Sequence, residues 1–93
     1  MSMHKTLDQL RTGEEARVVA LPEEPSIRQS LLRMGLVEGA LIRVTYNYGR
    51  SPVVFQLRGM RVILSREHAR RIRVEPLPLG QRHVYPSEPP VSS

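Results

Sequence analysis

The chain has 93 residues, no cysteine and a formal charge of +5, carried almost wholly by arginine. This length allows one domain with a small core, and the absence of thiols excludes disulfides, thiolate metal sites and cysteine nucleophiles. No long apolar run follows the first residues, so neither a secretory leader nor a membrane-spanning insertion is expected, and the location read from the chain is cytoplasmic.

Residues 6–10 read as one helical turn, with Thr6 as its cap, Gln9 reaching back to it and Leu7 and Leu10 on one face. Residues 16–21 form a valine-rich first strand, too apolar for clean alternation and therefore partly covered on both sides. A polar link follows from Pro22 to Pro25. Ser26 then caps a short helix with Gln29 as its capping-box partner. Ile27, Leu31 and Met34 fall on its inner side, Leu32 flanks them, and Arg28 and Arg33 face water. Gly35 stops the helix by taking a left-handed conformation, and Leu36 folds back on the last turn.

Glu38-Gly39 turns the chain into a strand over 40–46. Ala40, Ile42, Val44 and Tyr46 point inward, while Leu41, Arg43 and Thr45 point outward. Residues 47–52 are a loop, 53–57 a strand, and Arg58-Gly59 a hairpin turn into an antiparallel strand over 60–64. Ser65 opens a last helical segment over 66–71, with Ala69 and Ile72 facing inward, and 72–75 closes the sheet. Five short strands in so few residues favour a small, partly open barrel. Residues 1–75 are read as the folded domain. Residues 76–93, with five prolines, are read as a proline-rich, flexible tail.

Enzymatic chemistry finds no support in the residue pattern. Ser26 and Ser65 are explained as caps, and His4, His68 and His83 are too dispersed for a metal motif. No glycine-rich loop ends in the Lys-Ser/Thr pair that cradles phosphates. Glu14, Glu15, Glu23 and Glu24 read as solubilising surface pairs beside turns, and acid–base catalysis would need such groups tuned in a pocket. No catalytic residue, cofactor site or metal site is assigned. The late arginines Arg58, Arg61, Arg66 and Arg70 form a candidate basic patch for nucleic acid, anionic lipid or an acidic protein face. A nucleic-acid role is disfavoured, because Phe55 reads as core and no aromatic-basic repeat accompanies the arginines.

The stretch Leu31-Leu-Arg-Met-Gly-Leu-Val-Glu-Gly39, running into Ala40-Leu-Ile-Arg-Val-Thr45, resembles the FeoA family. These are small cytosolic proteins associated with bacterial ferrous iron transport. Leu10-Arg-Thr-Gly-Glu-Glu-Ala-Arg-Val18 and Leu57-Arg-Gly-Met-Arg-Val-Ile-Leu-Ser65, with Ala69 and Ile72, continue the pattern in order over residues 6–75. The resemblance implies a mainly β fold, a small SH3-like barrel with a short helix inserted after the first strand and helical turns at both ends. The same kind of domain occurs at the C-terminus of some metal-responsive repressors, but nothing here resembles the winged helix that precedes it there. A stand-alone accessory protein follows, with the cytosolic part of a FeoB-like membrane ferrous iron transporter as its partner. Leu32, Gly35, Leu36, Glu38 and Gly39 are the candidate partner-binding residues. Self-association through an uncovered sheet edge is a further reading.

Overall fold

The structure is a computed structural model and describes residues 4–78. Six strands form one antiparallel sheet: β1 (Lys5–Thr6), β2 (Glu15–Ala20), β3 (Leu41–Tyr46), β4 (Val53–Leu57), β5 (Met60–Leu64) and β6 (Arg73–Pro76). Their spatial order is β1-β6-β2-β3-β4-β5, so the last strand is threaded between the first two. Helix α1 (Pro25–Arg33) follows β2, the four-residue helix α2 (Arg66–Ala69) follows β5, and a 3-10 turn, Leu7–Gln9, follows β1. The sheet curls around one core but is not closed by hydrogen bonds, leaving β1 and β5 as edges.

Alternation along the strands explains the core. Ala16 and Val18 of β2, Ile42 and Val44 of β3, Val53, Phe55 and Leu57 of β4, Val62 and Leu64 of β5 and Val74 of β6 are all buried. Leu31 of α1, Leu7 and Leu10 at the first turn, Leu21 after β2, Leu36 after α1, and Ala69 and Ile72 around α2 complete the same cluster. No polar side chain is buried among the described residues. At about 25 cal/mol per Å² of apolar surface removed from water, this one cluster supplies the main stabilising term for so short a chain.

Helix α1 ends in a Schellman motif. Leu36 N–H donates to the Leu31 carbonyl and Gly35 N–H to the Leu32 carbonyl, both at 3.0 Å. The motif needs a left-handed residue after the cap, and Gly35 supplies φ +93° without a Cβ clash. Leu36 and Leu31, the apolar pair that accompanies such a cap, are both fully buried. At the other end of the helix the sequence reading is corrected. Helix α1 begins at Pro25 with Glu24 as its N-cap, so Ser26 is not the cap and Gln29 has no capping-box role. Proline's fixed φ suits the first helical position, and the helix starts two residues earlier than a cap at Ser26 would place it. The cap expected at Ser65 is present: its hydroxyl accepts from His68 N at 3.2 Å.

Three further differences concern strands. The sequence reading has five, but Lys5 and Thr6 make a sixth by pairing with Val74 and Arg73. Strand β6 runs to Pro76, which lies opposite Ala16, and Leu77 N donates to the Glu15 carbonyl at 2.9 Å. The ladder thus passes the boundary expected at residue 75; a strand end tolerates a residue with no N–H to donate. Residues 79–93 of the proline-rich tail, with His83, Pro86, Pro89 and Pro90, lie outside the described residues. Finally, Tyr46 is not in the core. The register shifts between Val44, opposite Phe55, and Tyr46, opposite Val54. That bulge moves Tyr46 onto the outward face of Val54, where it is 46% exposed.

Candidate functional site

Two surfaces correspond to the candidate residues. The first surrounds the end of α1. After the Schellman motif, Val37 and Glu38 bring the chain to Gly39, whose N–H donates to the Val18 carbonyl at 2.7 Å, while Val18 N donates back to Ala40 at 2.8 Å. The turn is thereby tied rigidly to β2. Its outside carries Leu32, 40% exposed, with Val37 and Leu41 also open to solvent. Glu38 and Gly39 are exposed and Gly35 is half-buried. Leu36 is different: at 0% exposure it anchors the turn from within and offers nothing to an outside partner. The reading of Leu36 as a contact residue is corrected on that ground. Val37 and Leu41, not singled out in the sequence, take its place at the surface. Their signal was available, because Val37 follows the inward Leu36 and Leu41 sits at an outward strand position.

The second surface was the basic patch, and the fold divides it. Arg58 occupies the β4–β5 turn and Arg61 the start of β5, whereas Arg66 and Arg70 follow the far end of that strand. At about 3.3 Å per residue, Arg61 and Arg66 are separated by roughly 16 Å of chain. Arg66 is also occupied: its Nε donates to the Ser51 carbonyl at 3.1 Å and its Nη2 to Asn47 Oδ1 at 2.5 Å. Arg70 lies 3.7 Å from Glu67. Arg71 bridges Glu67, at 3.1 Å, and Glu24, which ties α2 to the start of α1. These exposed pairs contribute at most about 1 kcal/mol each.

Asn47 is the structural residue that the sequence reading missed. Its Nδ2 donates to the Asp8 carbonyl at 2.9 Å and to the Leu10 carbonyl at 2.5 Å, while its Oδ1 accepts from Arg66. One loop side chain thus joins the first turn, the β3–β4 loop and α2. Asn47, Arg66 and Tyr48 border a shallow open depression with Asp8 and Arg11. Tyr48 meets Tyr46 edge to face with ring centres 4.8 Å apart.

No group of three or more metal-ligating side chains comes together among the described residues. His68 is half-buried at α2 and His4 is exposed near β1. Glu14 accepts from Arg11 N at 2.7 Å as a turn residue. Glu15, expected on the open surface, is half-buried, with Oε1 enclosed and without a hydrogen-bond donor. No described helix is long and apolar enough to cross a membrane.

Residues 5–76 match the FeoA domain family. No curated protein sequence matches the chain. Among solved structures, FeoA from Chlorobium tepidum is 30% identical, with 89% of this chain and 82% of that one covered and a TM-score of 0.72. An iron uptake regulatory protein, also FeoA, is 29% identical, with 81% and 100% covered and a TM-score of 0.76. FeoA from Stenotrophomonas maltophilia in complex with zinc is 25% identical, with 75% and 88% covered and a TM-score of 0.67. That protein is described as a prokaryotic SH3 domain protein, suggested as a ferrous iron transport activating factor.

Proposed function

The chain belongs to the FeoA family, and on that premise we propose that it is a non-enzymatic accessory protein of bacterial ferrous iron uptake, acting in the cytoplasm on the cytosolic part of a FeoB-type transporter. The observation that carries this reading is the family match over residues 5–76, which takes in the whole sheet and both helices. The likeness to the Stenotrophomonas maltophilia protein supports an activating role.

The docking face is the end of α1 and the following turn. Leu32, Val37 and Leu41 supply apolar contact, and Glu38 supplies a charge at the rim, the arrangement of a small transient interface. Gly35 and Gly39 shape the backbone, and Leu36 holds it from inside. The divided arginines weigh against a nucleic-acid footprint, which would need one continuous basic track.

The test pairs capture with uptake. Full-length protein is used to retain the detergent-solubilised transporter from the same genome, and ferrous uptake is measured in a strain lacking this gene. Leu32→Glu and Val37→Glu place charges at exposed positions, so both should leave the melting transition within a few degrees while reducing retention at least tenfold. Normal uptake in the deletion strain, together with no retention of the transporter, would refute the proposal.

A further inference from the structure

Strand β5 ends the sheet, and β4 covers only one of its sides. The hairpin fixes which backbone groups are left over. Leu57 and Met60 flank a two-residue turn and so form a hydrogen-bonded pair; alternation makes Phe55–Val62 and Val53–Leu64 bonded pairs as well. Gln56–Arg61 and Val54–Ile63 are then the intervening pairs, whose N–H and C=O groups point away from each other. The Val54 carbonyl agrees with this parity, since it faces β3 and accepts from Thr45 Oγ1 at 3.2 Å. Arg61 and Ile63 therefore present two N–H and two C=O groups to the open edge.

A second observation falls on the same strand. Met60 and Ile63, at 54% and 64%, are the most exposed non-aromatic apolar side chains among the described residues. An edge with free backbone groups and uncovered apolar side chains is a template for another strand.

We propose that β5 pairs antiparallel with β5 of a second copy of this chain, about a two-fold axis at Val62. The strand is self-complementary in that register. Arg61 lies opposite the second copy's Ile63, and Ile63 opposite its Arg61, so four backbone hydrogen bonds form and the arginine stems cover the isoleucines. Met60 lies opposite the second copy's Leu64. The neighbouring registers are poorer. An axis at Arg61 sets two arginines face to face, which is destabilising. An axis at Ile63 calls on the Ser65 carbonyl, which already accepts from Ala69 N at 2.9 Å. The other edge, β1, has only two residues and offers no comparable row. The proposal does not rest on transporter docking.

Sedimentation equilibrium of the full-length protein tests this. One five-residue strand per copy is a small interface, so the dimer is weak and depends on concentration. The weight-average mass should rise from one chain toward two between about 10 µM and about 1 mM. Amide exchange supplies the register: Arg61 and Ile63 should gain at least tenfold protection over that range, while Met60, Val62 and Leu64 stay protected throughout. Ile63→Pro removes an outward N–H without touching the β4 ladder and should hold the protein monomeric. Ile63→Lys keeps that N–H but opposes lysine to arginine twice, and should also give a monomer; it decides the matter if the proline variant does not fold. A monomeric mass at every concentration would overturn the proposal. So would a dimer whose Arg61 and Ile63 amides exchange freely, or one that survives Ile63→Lys.

Discussion

Replacing Asn47 with alanine should produce one of the larger losses of stability available outside the core. The side chain donates to two backbone carbonyls and accepts from the Arg66 guanidinium. A neutral hydrogen bond contributes about 1 kcal/mol net and one to a charged group about 1.5–3 kcal/mol. Asn47 is half-buried, so water takes over part of this pairing. The net loss should therefore be about 2–4 kcal/mol, or roughly 10–30 °C in melting temperature for a domain of this size. Urea denaturation with an unchanged slope would measure it. A cycle with Arg66→Met separates the terms: the double variant should be more stable than the sum of the singles by about 1 kcal/mol or more, because the two side chains share one bond. A loss below about 0.5 kcal/mol for Asn47→Ala, or strict additivity in the cycle, would refute the view of Asn47 as the tie between the first turn, the loop and α2.

Other substitutions probe backbone geometry. Gly35→Ala should cost about 1–2 kcal/mol from the left-handed conformation alone, since a Cβ there would lie 3.9 Å from Leu57 Cδ2, in ordinary contact. D-alanine placed at position 35 by chemical synthesis should restore the wild-type melting temperature. Arg58 sits at φ +54° in a turn that suits glycine or asparagine, so Arg58→Gly should raise stability by a few tenths to about 1 kcal/mol in thermal melts. Ser65→Ala should cost about 1 kcal/mol by removing the cap of α2, whereas Ser26→Ala should change stability by less than about 0.5 kcal/mol. Equal effects at the two serines in the same denaturation series would contradict the observed start of α1. Leu31→Ala, in the fully buried position of the helix, should cost about 2–5 kcal/mol and lower the denaturation midpoint accordingly.

Much of the fold is legible in the chain because local chemistry and packing agree there. The bounds of β4 and β5 follow from Pro52, from the Arg58-Gly59 turn and from Ser65, each of which interrupts the backbone in a defined way. The end of α1 is equally clear, because Gly35 and Leu36 are what a Schellman cap needs. The start of α1 is less clear, because serine signals a cap strongly, while Pro25 takes the first helical position, two residues before the one a Ser26 cap would set. The turn after α1 is visible as a cluster of residues, and Leu36, folding back on the cap, is already marked as inward; how far Leu32, the same residue type, stands open is set by the fold, at 40% exposure against none for Leu36.

Composition, turn residues and alternation by themselves determined a small β domain with one inserted helix, because each is a preference that a short segment expresses alone. Strand β1, the bulge that turns Tyr46 outward and the tie at Asn47 were decided only by tertiary structure. Lys5 and Thr6 are only two residues, too short to signal a strand alone, and become one because β6 offers them partners. Asn47 reads as a loop residue until the first turn is folded against it, 39 positions away in the chain. Such features depend on which distant backbone groups are left unpaired once the sheet has formed, and no local stretch of sequence carries that information.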